Sequence, residues 1–156
     1  MMTDDITTIE LDHYYPHPPE KVWRALTTPE LMAQWMMRPI GFEPVVGTVF
    51  EMRTQPMPGQ NFSGEIRGEV LEVVAPQLLS ISWNDAKSER DSGWVISWTL
   101  RPEGHGTRIL FSHRGFDPED PVMQRARSIM GGGWKGMLDR LESVLADAEP
   151  VQQTPE

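Results

Sequence analysis

The sequence contains no cysteine, and this absence excludes several kinds of chemistry at once. Disulfide bonds, thiolate nucleophiles, cysteine-based zinc sites and iron–sulfur clusters all require cysteine sulfur. The four histidines, His13, His17, His105 and His113, fall on different predicted elements, and only the first two are close in sequence. We therefore expect neither a metal site nor a cofactor.

Basic residues are also few, because 14 Lys and Arg stand against 23 Asp and Glu, which gives a net charge of −9. A chain of this charge is repelled by a phosphate backbone and by an anionic lipid surface, so we expect no nucleic-acid and no membrane partner. No apolar run approaches the roughly 18 residues of a membrane span, and residues 1–8 lack the segments of a signal peptide. We expect a cytoplasmic protein.

Recognisable catalytic motifs are missing as well. The sequence has no serine-nucleophile motif, no phosphate-binding glycine loop and no dinucleotide fingerprint. Glu65 and Glu69 are predicted on the outer face of a strand, where charged side chains contact solvent. Asp117, Glu119 and Asp120 precede a helix, where negative charge is favourable at the helix N-terminus. We assign no catalytic residue, and we favour a binding function over an enzymatic one.

The 156 residues show no linker or low-complexity segment. This length supports one hydrophobic core, so we expect a single domain over residues 1–149, followed by a flexible C-terminal tail over residues 150–156.

Residues 121–148 carry the pattern of a long amphipathic helix. Apolar side chains recur at spacings of three and four, at Met123, Ala126, Met130, Trp134, Met137, Leu138, Leu141, Val144 and Leu145. Pro121 is typical of a helix start, and Pro150 predicts the stop. Gly131, Gly132 and Gly133 interrupt the pattern and predict a bend or a loosening of the backbone. They either leave room beside Trp134 for a ligand or allow close packing against a sheet.

The N-terminal part of the chain predicts a strand and two short helices. Residues 6–15 alternate between apolar and polar side chains, as in a strand. Prolines 18 and 19 then favour a first helix, and Pro29 opens a second helix that carries Trp35.

From residue 41 onward the period changes to two. We predict strands over residues 46–52, 62–74, 78–83, 94–101 and 107–114, separated by segments typical of turns. Trp94, Ile96, Trp98 and Leu100 share one face, and His113 is predicted on the inner face of the last strand. A shift of the pattern near Val70 predicts a β-bulge that curls the sheet. These patterns predict an α+β domain with an antiparallel sheet.

Several separated segments resemble one known family. They are residues 17–31, the pair Gln34-Trp35, residues 64–72 with 74–76, residues 106–108 with His113, Gly115-Phe116, and Gly133-Trp134 with Leu138 and Leu141. This pattern is similar to the heat-shock-protein ATPase activator-like family of START-like, or SRPBCC, domains. The resemblance implies a helix-grip fold, in which a curved antiparallel sheet wraps a long C-terminal helix and often encloses a cavity for an apolar molecule.

Tryptophan and methionine are abundant, at 6 and 10 residues, and both suit an adaptable apolar cavity. We predict that the ligand contacts side chains from the sheet, the second helix and the C-terminal helix, namely Trp35, Phe50, Trp83, Trp98, Phe111, His113, Met130, Trp134 and Met137. The same residues are also compatible with an ordinary core.

Three functions are compatible with these observations. The first is binding of a small hydrophobic ligand for sequestration, transport or sensing. The second is a protein-interaction domain that docks on a chaperone ATPase, although co-chaperones of that lineage carry an additional docking domain. The third is an enzyme of the cyclase or hydrolase kind. The sequence predicts neither the identity of the ligand nor the oligomeric state.

Overall fold

The structure is a computed structural model that describes residues 6–56 and 62–153, with side chains described as far as residue 147. The described chain begins with a strand, continues with two short helices and a run of strands, and ends with one long helix. In chain order the elements are β1 (Thr8–Tyr15), α1 (Pro19–Thr27), α2 (Pro29–Trp35), β2 (Val49–Arg53), β3 (Glu65–Val74), β4 (Leu78–Ser82), β5 (Asn84–Asp85), β6 (Val95–Glu103), β7 (Gly106–Arg114) and α3 (Pro121–Gln153).

The strands form one antiparallel sheet in the order β1-β7-β6-β4-β3-β2, with β5 paired to β3. The first strand therefore lies at one edge, beside the last strand. The register between β3 and β4 shifts between Val70 and Glu72, where the sequence predicts the bulge. A bulge bends its strand, and this one lets the sheet curve around a helix. The predicted α+β, helix-grip fold is confirmed.

The core lies between the concave face of the sheet and α3. On α3 the buried side chains are Trp134, Leu138, Leu141, Val144 and Leu145, as the predicted apolar stripe requires. None of the helices in the described ranges is both long enough and apolar enough to cross a membrane.

Two hydrogen bonds fix the helices in place, and both use buried aromatic side chains. The Tyr15 hydroxyl of β1 donates to the Leu138 carbonyl of α3 at 2.8 Å. The Trp35 indole of α2 donates to the Ala25 carbonyl of α1 at 2.9 Å. Each polar atom enters the core with a partner, which removes most of the cost of burying it.

The C-terminal end of α3 differs from the prediction. The helix continues to Gln153, although the sequence predicts a stop at Pro150. A proline has no backbone N–H donor, but a helix can continue through it when the adjacent residues keep their backbone hydrogen bonds. The domain boundary at residue 149 and the flexible tail stay predictions.

The glycines of α3 also differ from the prediction. The helix runs without a break through Gly131, Gly132 and Gly133, so the backbone does not loosen out of the helix there, and the bend stays a prediction. A Cβ atom built on any of the three meets nothing within 4 Å, so they do not pack closely against the sheet either. Gly132 and Gly133 are exposed. Burial of Trp134 and of the following apolar residues maintains the helix despite about 1 kcal/mol of propensity lost per glycine.

Replacement of Gly132 by alanine tests this reading of the helix. We expect Gly132→Ala to raise the free energy of unfolding by about 0.5–1 kcal/mol, because the methyl group fits and the unfolded chain loses freedom. Gly106→Ala is the matched control, since its methyl would meet the Tyr15 carbonyl and the Tyr14 hydroxyl. Urea unfolding should show opposite shifts, and a destabilised Gly132→Ala variant would contradict the analysis.

The buried Tyr15 hydroxyl predicts a loss of stability at alkaline pH. Burial, and then Glu142 and Asp139, raise the pKa of Tyr15 above its ordinary value of 10.0. Above that pH the unfolded state loses a proton that the folded state keeps, so the unfolding free energy falls by about 1.4 kcal/mol per pH unit. We expect this fall in the wild type and not in Tyr15→Phe, whose unfolding at pH 7 should cost about 1 kcal/mol less. If the unfolding free energy falls with the same slope in both proteins between pH 10 and 11.5, the prediction is wrong.

Candidate functional site

A cluster of aromatic rings fills the space between α3 and the middle of the sheet. The Trp134 ring of α3 lies 5.4 Å from the Trp83 ring, 5.9 Å from the Trp98 ring and 4.7 Å from the Phe111 ring, measured between centroids. The rings meet edge-to-face or tilted, which are the favourable geometries for aromatic pairs. We call the set Trp83, Trp94, Trp98, Phe111, His113, Phe116 and Trp134 the aromatic cluster.

The strand register explains why these rings meet. Trp98 of β6 is paired with Phe111 of β7, and Ile96 is paired with His113. Because alternate residues of a strand point to the same face, these four side chains all face α3. Each is buried.

His113 is the polar member of the cluster, and it is fully buried. The Trp134 indole nitrogen donates to Nδ1 of His113 at 2.9 Å. Burial lowers the pKa of His113 from 6.5 to about 3, so the ring is neutral at ordinary pH. Since Nδ1 accepts a hydrogen bond, the single ring proton lies on Nε2.

Three ring nitrogens of the cluster have no hydrogen-bond partner among the described residues. They are Nε1 of Trp94, Nε1 of Trp98 and Nε2 of His113, and all three are buried. Each carries a proton, because an indole nitrogen is always a donor and the His113 proton is on Nε2. The cluster thus contains three buried donors and no described acceptor for them.

The structure brings five of the predicted ligand-binding residues into direct ring contact with one another. They are Trp83, Trp98, Phe111, His113 and Trp134. Whether they bind a ligand stays a prediction.

The other four predicted ligand-binding residues do not all adjoin this group. Trp35 borders it, with its ring 6.2 Å from the Trp98 ring. Met130 and Met137 are half-buried on α3 and pack against the core. Phe50 instead packs against Phe42, with the ring centroids 5.2 Å apart.

Two members of the cluster were not among the predicted ligand-binding residues. The Trp94 ring lies 4.6 Å from the His113 ring and 5.1 Å from the Phe116 ring. The alternation with Ile96 and Trp98 predicted the correct face for Trp94, but no pattern in the sequence predicted its contact with His113. Phe116 lies beyond Gly115, whose positive φ of 111° turns the chain back toward the sheet.

The neutral His113 ring predicts a dependence of stability on acid. Between pH 6.5 and pH 3 the unfolded state binds a proton that the folded state excludes, so the unfolding free energy falls as the pH falls. From pH 6.5 to 5 the loss should be about 1.6 kcal/mol, and it should be absent from His113→Asn. Urea titrations at both pH values measure it, and equal losses in the two proteins would contradict the assignment.

Two comparisons relate this chain to known proteins. The family model described as activator of Hsp90 ATPase homolog 1-like protein matches residues 16–146. Protein MLL2253 from Mesorhizobium loti is 33% identical, with a TM-score of 0.77 over 91% of this chain and 98% of that chain. No protein with a curated description matches this chain.

More distant structures share the fold. CalU16 from Micromonospora echinospora is 23% identical, with a TM-score of 0.70 over 94% of this chain and 79% of that chain. The Aha1 dimer from Colwellia psychrerythraea is 21% identical, with a TM-score of 0.67 over 86% of this chain and 96% of that chain. Because the family model matches residues 16–146, which is most of the chain, the chain belongs to the activator of Hsp90 ATPase homolog 1-like family.

Proposed function

We propose that the protein binds a small hydrophobic ligand between the sheet and α3, and thereby sequesters, transports or senses that ligand. The observation that carries this proposal is the aromatic cluster with its three unpartnered donors. A core that served stability alone gains nothing from buried donors without acceptors, because each costs about 1–3 kcal/mol.

The spacing of the elements supports the same location. Among the described residues the backbone of α3 comes closest to β1, α1 and α2. The distance from α3 to β4 and β6 is spanned by large side chains, chiefly Trp83, Trp98 and Trp134. A ligand that displaces side chains in this region leaves the backbone contacts of α3 intact.

Methionines on α3 provide the adaptability that binding requires. The cluster rings already touch one another, so a ligand must move side chains in order to enter. Met123, Met130 and Met137 are half-buried along the helix face that borders the cluster. Methionine is unbranched and changes rotamer at small cost, so these side chains are suited to yield.

A second candidate function is docking on a chaperone ATPase, as the family description suggests. Four large apolar side chains before and within β2 are exposed: Ile40 by 55%, Val45 by 56%, Val46 by 60% and Val49 by 55%. Neighbouring exposed apolar residues are typical of interaction surfaces, and β2 is an edge strand of the sheet. This surface does not overlap the aromatic cluster.

Titration with neutral bicyclic compounds tests the ligand-binding function. We expect naphthalene, tetralin or α-tetralone to bind at one saturable site in calorimetry. In nitrogen–proton spectra the same ligand should shift the indole signals of Trp83, Trp98 and Trp134. Trp23 of α1 is the internal control, because it lies outside the cluster and its indole signal should stay in place.

Two results would exclude the ligand-binding function. One is that none of the three compounds shows saturable binding to the protein. The other is saturable binding that shifts only signals outside the cluster. In either case docking through the exposed residues of 40–49 becomes the leading function.

A further inference from the structure

The unpartnered donors of the aromatic cluster lie along one line of the sheet. His113 is paired with Ile96 of β6, two residues before Trp98. Trp94 directly precedes β6, and its ring contacts the His113 ring. The three nitrogens therefore belong to side chains that are neighbours on one face. Trp98 and His113 are 1% and 0% exposed, so neither side chain contacts bulk solvent.

The protein itself offers these donors only weak acceptors. The rings next to His113 are those of Trp94 and Phe116, both with centroids at 4.6 Å. An aromatic face accepts an N–H group far more weakly than an oxygen does. The missing partner is thus an acceptor, and in chemical terms it is an oxygen with a free lone pair.

The charge of the site decides which kind of oxygen fits. Burial lowers the pKa of His113, so the ring is neutral at neutral pH. The indole groups of Trp94 and Trp98 are also uncharged. A carboxylate brought here would lose its hydration without meeting a positive charge, whereas a carbonyl oxygen loses little and gains a hydrogen bond.

We propose that the ligand is an uncharged, largely apolar ring compound with a carbonyl oxygen, and that this oxygen accepts a hydrogen bond from Nε2 of His113, with the Trp94 and Trp98 indoles as neighbouring donors. The assignment rests on the proposed function and adds the chemical class of the ligand to it. It predicts discrimination among compounds of one shape: a ketone binds best, the hydrocarbon binds less well, and the carboxylate binds least.

The test compares α-tetralone with tetralin and with the carboxylate of the same ring system. Calorimetry should show that the wild type binds α-tetralone about tenfold more tightly than tetralin, as one buried hydrogen bond implies. Bound α-tetralone should also move the nitrogen-bound proton signal of His113 downfield, whereas bound tetralin should not.

The variant His113→Asn tests the role of the Nε2 donor while keeping an acceptor for the Trp134 indole. The asparagine side chain can still accept the Trp134 indole proton, but it places no donor where Nε2 stands. The preference for α-tetralone over tetralin should fall to within about twofold in this variant and should persist in Trp23→Phe, the control outside the cluster.

The possible failures are distinct. If α-tetralone and tetralin saturate the wild type with equal affinity, the carbonyl assignment is wrong while the ligand-binding function stands. A preference that survives in His113→Asn, or a carboxylate that binds more tightly than the ketone, also overturns the assignment. If no compound saturates the wild type, the proposed function itself fails. The wild-type comparison does not depend on whether His113→Asn folds.

Discussion

The hydrogen bond from the Trp134 indole to His113 fixes the relation between the long helix and the sheet. The bond is buried and directional, so it sets the rotation of α3 about its axis as well as its distance from β7. It also determines the tautomer of His113, because the nitrogen that accepts from Trp134 cannot carry the ring proton. This one contact therefore links the packing of the helix to the chemistry of the cluster.

Under the proposed function the same cluster serves stability and ligand binding, and the two demands conflict. Replacing Trp98 by a hydrocarbon side chain of similar shape would remove an unpartnered donor and favour the folded state. The protein instead retains three such donors in its core. Functional sites are often built from residues that stabilise a fold less than an apolar residue of the same shape would.

Much of this arrangement could be predicted from the sequence, because periodicity determines which face a side chain occupies. The alternation in β6 and β7 placed Trp98 and His113 on the inner face, and the shift of pattern near Val70 predicted the bulge. Periodicity does not predict which side chains of different elements contact each other. It did not place Phe116 beside His113, and it did not show that Gly132 faces solvent, because both depend on how the chain folds back on itself.

The pairing of β1 with β7 has a consequence for synthesis on the ribosome. Tyr15 is paired with Thr107, so the first strand must wait until the last strand emerges before it can join the sheet. Until then its apolar side chains and backbone groups have no partner. Contacts between distant segments slow folding and prolong exposure to aggregation, so the acidic surface of this chain, with its net charge of −9, also protects the nascent protein while its two ends are apart.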